Sequence, residues 1–196
     1  MKRLTTSEIL DLSNRLTEWQ TPIEMRDLVS STMDDLGSTN FFNQSGLAFI
    51  RDAWIASEFG WLRDATSVRL VPDNWPDFEL SIAGRVESFE AVEADNPERR
   101  RGLDYRHGLD EVVGDPIEDW IARAEMAPSW LKAACQKKAE KRYSGRTGLV
   151  VYLNLDECGI RQSEVEACFP SATASVKDAF EAVWVLWKKK AYRVWP

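Results

Sequence analysis

The run Gly148-Leu149-Val150-Val151-Tyr152-Leu153-Asn154-Leu155 constrains this chain most. It is apolar almost without interruption, as expected of a strand covered on both faces, which calls for a sheet with helices packed against it. Helical patterns stand on either side of the run in the sequence. Between Ser45 and Leu62, Leu47, Ile50, Trp54, Ile55 and Phe59 recur at spacings of about three and four. Asp115-Pro116-Ile117-Glu118 is a helix start, with a capping side chain, proline at the first helical position and Glu three residues after the cap. Trp120, Ile121 and Ala124 continue it; Ala127-Pro128 is expected to interrupt, and a second helix carries Trp130, Leu131, Ala134, Cys135 and Ala139 up to Ser144-Gly145. After the apolar run, Glu164 to Cys168 and Val176 to Ala182 read as helices separated by Pro170. Val183–Trp187 and Tyr192–Trp195 read as a closing β-hairpin, with Lys188-Lys189-Lys190 as a solvated turn that discourages edge pairing.

The N-terminal region is helical. Thr6 or Ser7 can cap a helix holding Ile9, Leu10, Leu12 and Leu16, and Thr21-Pro22 starts another that Gly37-Ser38-Thr39-Asn40 breaks. The expected organisation is a helical extension over residues 1–40 followed by one α/β domain over 41–196. With 44% hydrophobic residues and nine tryptophans the chain excludes a disordered protein. No run reaches the length of a membrane span and the first residues lead into polar sequence, so the expectation is a soluble, cytoplasmic protein without a membrane partner. The three cysteines, Cys135, Cys158 and Cys168, have no metal-type spacing and fit buried, reduced thiols. His107 is the single histidine, which rules out a histidine-rich metal site. A net charge of −7 argues against a general electrostatic grip on nucleic acid, though not against a local basic surface.

Chemistry concentrates between Trp75 and Gly102. Phe78, Leu80 and Ile82 alternate, Ala83-Gly84-Arg85 turns, and Ser88–Asp95 forms a second strand-like run, so the segment reads as a β-hairpin. Asp77 stands on one arm and Glu90, Glu93 and Asp95 on the other. Strands disfavour such acids, and like charges opposite one another are destabilising. Two readings remain open: a solvated strand face, or a site for a divalent cation that takes carboxylate oxygens and works on a phosphodiester. Arg99, Arg100 and Arg101 follow at once, and their guanidinium forks suit phosphate. Register decides which acids meet. A two-residue turn, Ala83-Gly84, sets Asp77 opposite Glu90, and a three-residue turn sets it opposite Glu93. Glu93, nearer the Asn96-Pro97 stop, is the favoured partner.

This layout resembles the PD-(D/E)XK nuclease superfamily. There the core runs helix, three strands, helix, strand, an Asp opens the second strand, and a Glu-x-Lys closes the third, together holding Mg²⁺. Pro76-Asp77 matches the first half. The second half departs: Glu93-Ala94-Asp95 has an acid where the lysine belongs, and Glu90-Ala91-Val92 has a valine there. The resemblance implies a restriction-endonuclease-like α/β core with a mixed central sheet flanked by helices, an N-terminal helical extension and a C-terminal β-hairpin. It implies Asp77 and Glu93 as ligands of Mg²⁺ or Mn²⁺, Asp95 or Glu90 as a further ligand or water-orienting group, and an additional acid, Glu58, from the first core helix. The helix after the third strand presents Gln136, Lys137, Lys138, Lys141 and Arg142. That set reads as a solvated basic face, and Lys138 or Lys141 is the candidate replacement for the missing lysine, on the side where nucleic acid would bind. The implied activity is cleavage of DNA or RNA. The competing reading is a relative that kept the fold, lost the chemistry and serves as a binding or regulatory module. Oligomeric state is left open.

Overall fold

The computed structural model describes residues 3–72, 75–96, 116–141, 147–155 and 159–196. Along the chain these form α1 (Thr6–Leu16), α2 (Pro22–Asn43), α3 (Ala48–Leu62), β1 (Ser67–Leu70), β2 (Phe78–Ile82), β3 (Arg85–Ala94), α4 (Ile117–Ala139), β4 (Gly148–Leu153), α5 (Gln162–Ala172), a 3-10 turn (Ala174–Val176), β5 (Ala182–Trp187) and β6 (Lys190–Trp195). The strands make one six-stranded sheet in sequence order. It is mixed: β4 and β5 are parallel, whereas β1–β2, β2–β3 and β5–β6 are antiparallel. The expected α/β class with a mixed sheet and a C-terminal hairpin is therefore found. The described residues fall into two compact units, one ending in β3 at Phe89 and the other beginning in β3 at Glu90.

In the first unit, α1 and α2 both open with capping boxes. Thr5 and Thr21 accept from the backbone N–H of Glu8 and Glu24, whose carboxylates accept from the N–H of the capping residue in return. Thr5, not Thr6 or Ser7, caps α1 because it is the threonine with Glu three residues on. Gly37 leaves the helical conformation inside α2 (φ 67°, ψ 155°), where the break is expected. The N-terminal helices contribute Leu16, Met25, Val29 and Leu36 to the buried interior of the unit that also holds α3, β1 and β2. Strand alternation then sorts the sheet: Val68, Leu70, Phe78 and Leu80 are buried, and Ser67, Arg69, Glu79 and Ser81 take the other face. Phe59 of α3 meets Phe89 and Phe78 edge-on at 5.1 and 6.3 Å, and those two rings stack at 5.4 Å. A Cβ on Gly60 would stand 3.2 Å from Leu80 Cδ2 and 3.3 Å from Pro22 Cγ, so a missing side chain is what lets α3 lie this close.

Both hairpins close through two residues with positive φ, Ala83 and Gly84 (49° and 76°) and Lys188 and Lys189 (48° and 56°). Positive φ at both central positions is the turn geometry whose twist matches that of paired strands. The lysine turn is thus one residue shorter than the three expected, and Lys190 begins β6. A β-carbon in the left-handed region is strained. Replacing Ala83→Asn, or Lys188→Asn together with Lys189→Gly, is expected to raise the unfolding free energy by about 0.5–1 kcal/mol in urea titrations. A fall would show that these turns are held by something other than local backbone geometry.

In the second unit β4 is buried along its length except at Tyr152. Leu149, Val151 and Leu153 share an apolar cluster with Leu131 and Cys135 of α4, Phe169 of α5, and Trp187 of β5. The Trp187 indole N–H donates to the Leu155 carbonyl at 3.0 Å. Two expectations fail here. Pro128 and Pro170 lie inside continuous helices instead of ending them, and the helix expected over Val176–Ala182 is reduced to the 3-10 turn. A proline inside a helix costs about 3 kcal/mol. In α4 that cost is offset by burial on both sides of Pro128, at Ala124, Ala127, Trp130 and Leu131, while the ring itself is exposed. Burial pushes the Cys135 thiol up to about 12 and the Cys168 thiol to about 11, which makes both poor nucleophiles. Cys158 and His107 lie outside the described residues. Among the described residues no helix is long and apolar enough to cross a membrane.

Candidate functional site

In the second unit, side chains of β3 alternate between the two faces of the sheet, so Glu90, Val92 and Ala94 share one face and Ala91 and Glu93 the other. On the first face, Ala94 belongs to the apolar cluster built with α4 and α5, and Val92 packs against it. Glu90 meets Lys138 of α4. The ammonium Nζ lies 2.5 Å from Glu90 Oε2, and the two residues are 9% and 2% exposed.

Lys138 is therefore not part of the solvated basic face to which its neighbours belong; Gln136, Lys137 and Lys141 are exposed, and Lys138 is buried. The spacing explains the difference. Lys138 follows Leu131, Ala134 and Cys135 by seven, four and three residues, which puts it on the buried stripe of the helix. That signal was available in the sequence, as a lysine where an aliphatic residue was due. Folding alone gives little reason for the pair. Desolvating two charges costs several kcal/mol each, and an apolar pair of the same volume is often equally or more stabilising. The pair sets a carboxylate of β3 against an ammonium of α4 in a nearly water-free position.

The other candidate acids have different surroundings. The Asn154 amide donates to Glu93 Oε1 at 2.8 Å, and the Asn154 backbone N–H donates to the Ala94 carbonyl at 2.9 Å, so Glu93 helps fasten the chain after β4 to β3. Asp95 Oδ1 accepts from the Asn96 N–H at 2.8 Å, an arrangement suited to the end of a strand. In the first unit, Asp77 stands just ahead of β2; its N–H donates to the Phe89 carbonyl at 3.0 Å and its carbonyl accepts from the Val71 N–H at 3.1 Å. Glu58 of α3 lies 3.5 Å from Arg26, an ordinary ion pair between neighbouring helices. Arg99, Arg100 and Arg101 lie outside the described residues.

The hairpin register differs from the favoured one. Ile82 pairs with Arg85 and Phe78 with Phe89, so the turn consists of Ala83 and Gly84 alone. The three-residue turn that would match Asp77 with Glu93 is not formed, because Ala83 and Gly84 complete the reversal and Arg85 is already paired. Glu90, not Glu93, shares its face of β3 with α4 and Lys138. Among the described residues no group of three or more His, Cys, Asp and Glu side chains is gathered as a metal site. Compared with known proteins, the chain matches no protein-family model, no curated protein and no solved structure.

Proposed function

We propose that this protein is a metal-dependent phosphodiesterase of the PD-(D/E)XK type acting on DNA or RNA, with Glu90 as the acid of the third strand and Lys138 as its lysine, carried on the following helix. The observation that carries this reading is the buried Glu90–Lys138 pair. It joins a carboxylate and an ammonium from the two elements where the superfamily motif and its relocated basic residue would be sought. Among the described residues the order α3, β1, β2, β3, α4, β4 agrees with the helix, three strands, helix, strand of that core. Asp77 enters the reading on the Pro76-Asp77 motif, and Arg99, Arg100 and Arg101 on their suitability for phosphate.

Mg²⁺ or Mn²⁺ held by carboxylate oxygen would supply an activated water and charge neutralisation at the phosphate. Lys138, released from Glu90, would hold a phosphate oxygen or orient the attacking water. Glu93 and Asp95, tied to Asn154 and Asn96, are left with supporting roles. The test is cleavage of supercoiled plasmid and of single-stranded DNA and RNA in Mg²⁺ or Mn²⁺. Asp77→Ala, Glu90→Gln and Lys138→Gln are each expected to slow cleavage by about 100-fold or more, with circular dichroism showing the fold retained. Undiminished cleavage by Asp77→Ala would sink the assignment.

The alternative, a non-catalytic binding or regulatory module, is favoured by one feature: Glu90 and Lys138 pair with each other in a nearly water-free position. On that reading Mg²⁺ and Mn²⁺ leave the melting temperature unchanged, since only a ligand bound preferentially by the native state raises it.

A further inference from the structure

We infer that, independently of the phosphodiesterase reading, the first unit carries a binding cleft for a small organic cation, an ammonium group on an aromatic or branched aliphatic body. The cleft lies between the start of α2 and the end of α3 and measures about 550 Å³, within the roughly 300–1,000 Å³ of small-molecule sites. Pro22, Ile23, Trp61 and Leu62 give it an apolar wall. Ile23 and Trp61 remain 42% and 51% exposed, so the wall presents apolar area that the fold itself leaves in water. Covering that area with the body of a ligand is favourable.

Charge selects the occupant. Thr21 is committed to the capping box of α2, and the Thr66 hydroxyl donates to the Ser81 carbonyl at 3.0 Å. Asp64 is the charged residue of the lining, and among the described residues nothing pairs with its carboxylate. The neighbouring arginines are already met by acids: Arg26, 5.7 Å over the Trp61 ring, lies 3.5 Å from Glu58, and Arg63 lies 3.3 Å from Glu87. Asp64 directly follows Arg63, the C-cap of α3. The carbonyl end of a helix is negative, so it disfavours a carboxylate and favours a cation. Folding therefore gives no reason for an acid here, whereas the helix end and the carboxylate together attract an ammonium group. An anion would find no positive side chain in the lining. With its body against Trp61 and Ile23, the ligand places its ammonium at Asp64.

The test is calorimetric titration of the full chain with 2-phenylethylammonium and with 3-phenylpropionate, a probe of similar shape and opposite charge, on the wild type, Asp64→Asn and Trp61→Ala. Asparagine tolerates the left-handed backbone at this position (φ 52°), and the Trp61 side chain is exposed, so both variants are expected to keep the fold by circular dichroism. The wild type is expected to bind the ammonium probe and not the carboxylate. Asp64→Asn is expected to weaken that binding about five- to tenfold, and Trp61→Ala about tenfold or more. Added salt should bring the wild type towards the Asp64→Asn value, because the contact with an exposed carboxylate is screened. Equal binding of the two probes overturns the charge selection and with it the proposal. Unchanged binding by either variant overturns it as well, because the probe would then sit elsewhere, and so does a wild type that binds neither probe.

Discussion

Lys138→Met is expected to lower the unfolding free energy by about 3–5 kcal/mol, because it removes the ammonium 2.5 Å from a carboxylate that is 2% exposed. Glu90→Met should cost a similar amount by removing the carboxylate that faces the buried ammonium. The double variant Glu90→Met/Lys138→Met removes both charges and fills the space with flexible apolar side chains. It should recover most of the loss and can exceed the wild type, since a buried ion pair seldom surpasses a well-packed apolar one. Urea denaturation of all four proteins at neutral pH closes the cycle and isolates the pair term. Single variants that each cost less than about 1 kcal/mol would mean that the pair is open to water and exchanges freely. A double variant as stable as the wild type but inactive on nucleic acid would separate the functional reason for the pair from any structural one.

Phe59→Ala is expected to cost a comparable 3–5 kcal/mol, for a different reason. Phe59 is fully buried and touches both Phe78 and Phe89, one from each arm of the hairpin that carries Asp77. Truncation leaves a cavity that α3 cannot close, because Gly60 is already near contact with Leu80 and Pro22. Phe59→Leu, which keeps most of the volume, should cost substantially less. Equal costs for the two variants would show that the aromatic edge contacts, and not filled volume, hold α3 to the hairpin.

Most of the architecture could be read from periodicity. The apolar run at Gly148–Leu155 gave β4, the alternation of Phe78 and Leu80 gave β2, and threes and fours gave α3. These signals survive because burial on one face or on both is the strongest selection on residue type along an element. The failures are local rules that lost to packing. Pro128 and Pro170 are helix breakers by propensity, yet the helices run through them, because the apolar stripes on either side are buried as single units. Thr5 caps α1 ahead of Thr6 and Ser7 because Glu8 stands three residues after it. The hairpin register turned on whether Arg85 belonged to the turn or to the strand, and composition does not distinguish the two.

The candidate site follows the same division. By itself the sequence determined that acids gather in the hairpin, that β3 carries no lysine, and that basic residues line the following helix. Which acid meets which base was decided only by tertiary structure. Glu90 and Glu93 are three apart and so fall on opposite faces of β3, and seven residues separate Lys138 from Leu131 on the stripe that α4 buries. A charged side chain on that stripe is tolerated only where an opposite charge faces it, and the partner, Glu90, lies 48 residues earlier in the chain. Periodicity reports which face of an element is buried; it carries no record of what lies across from that face.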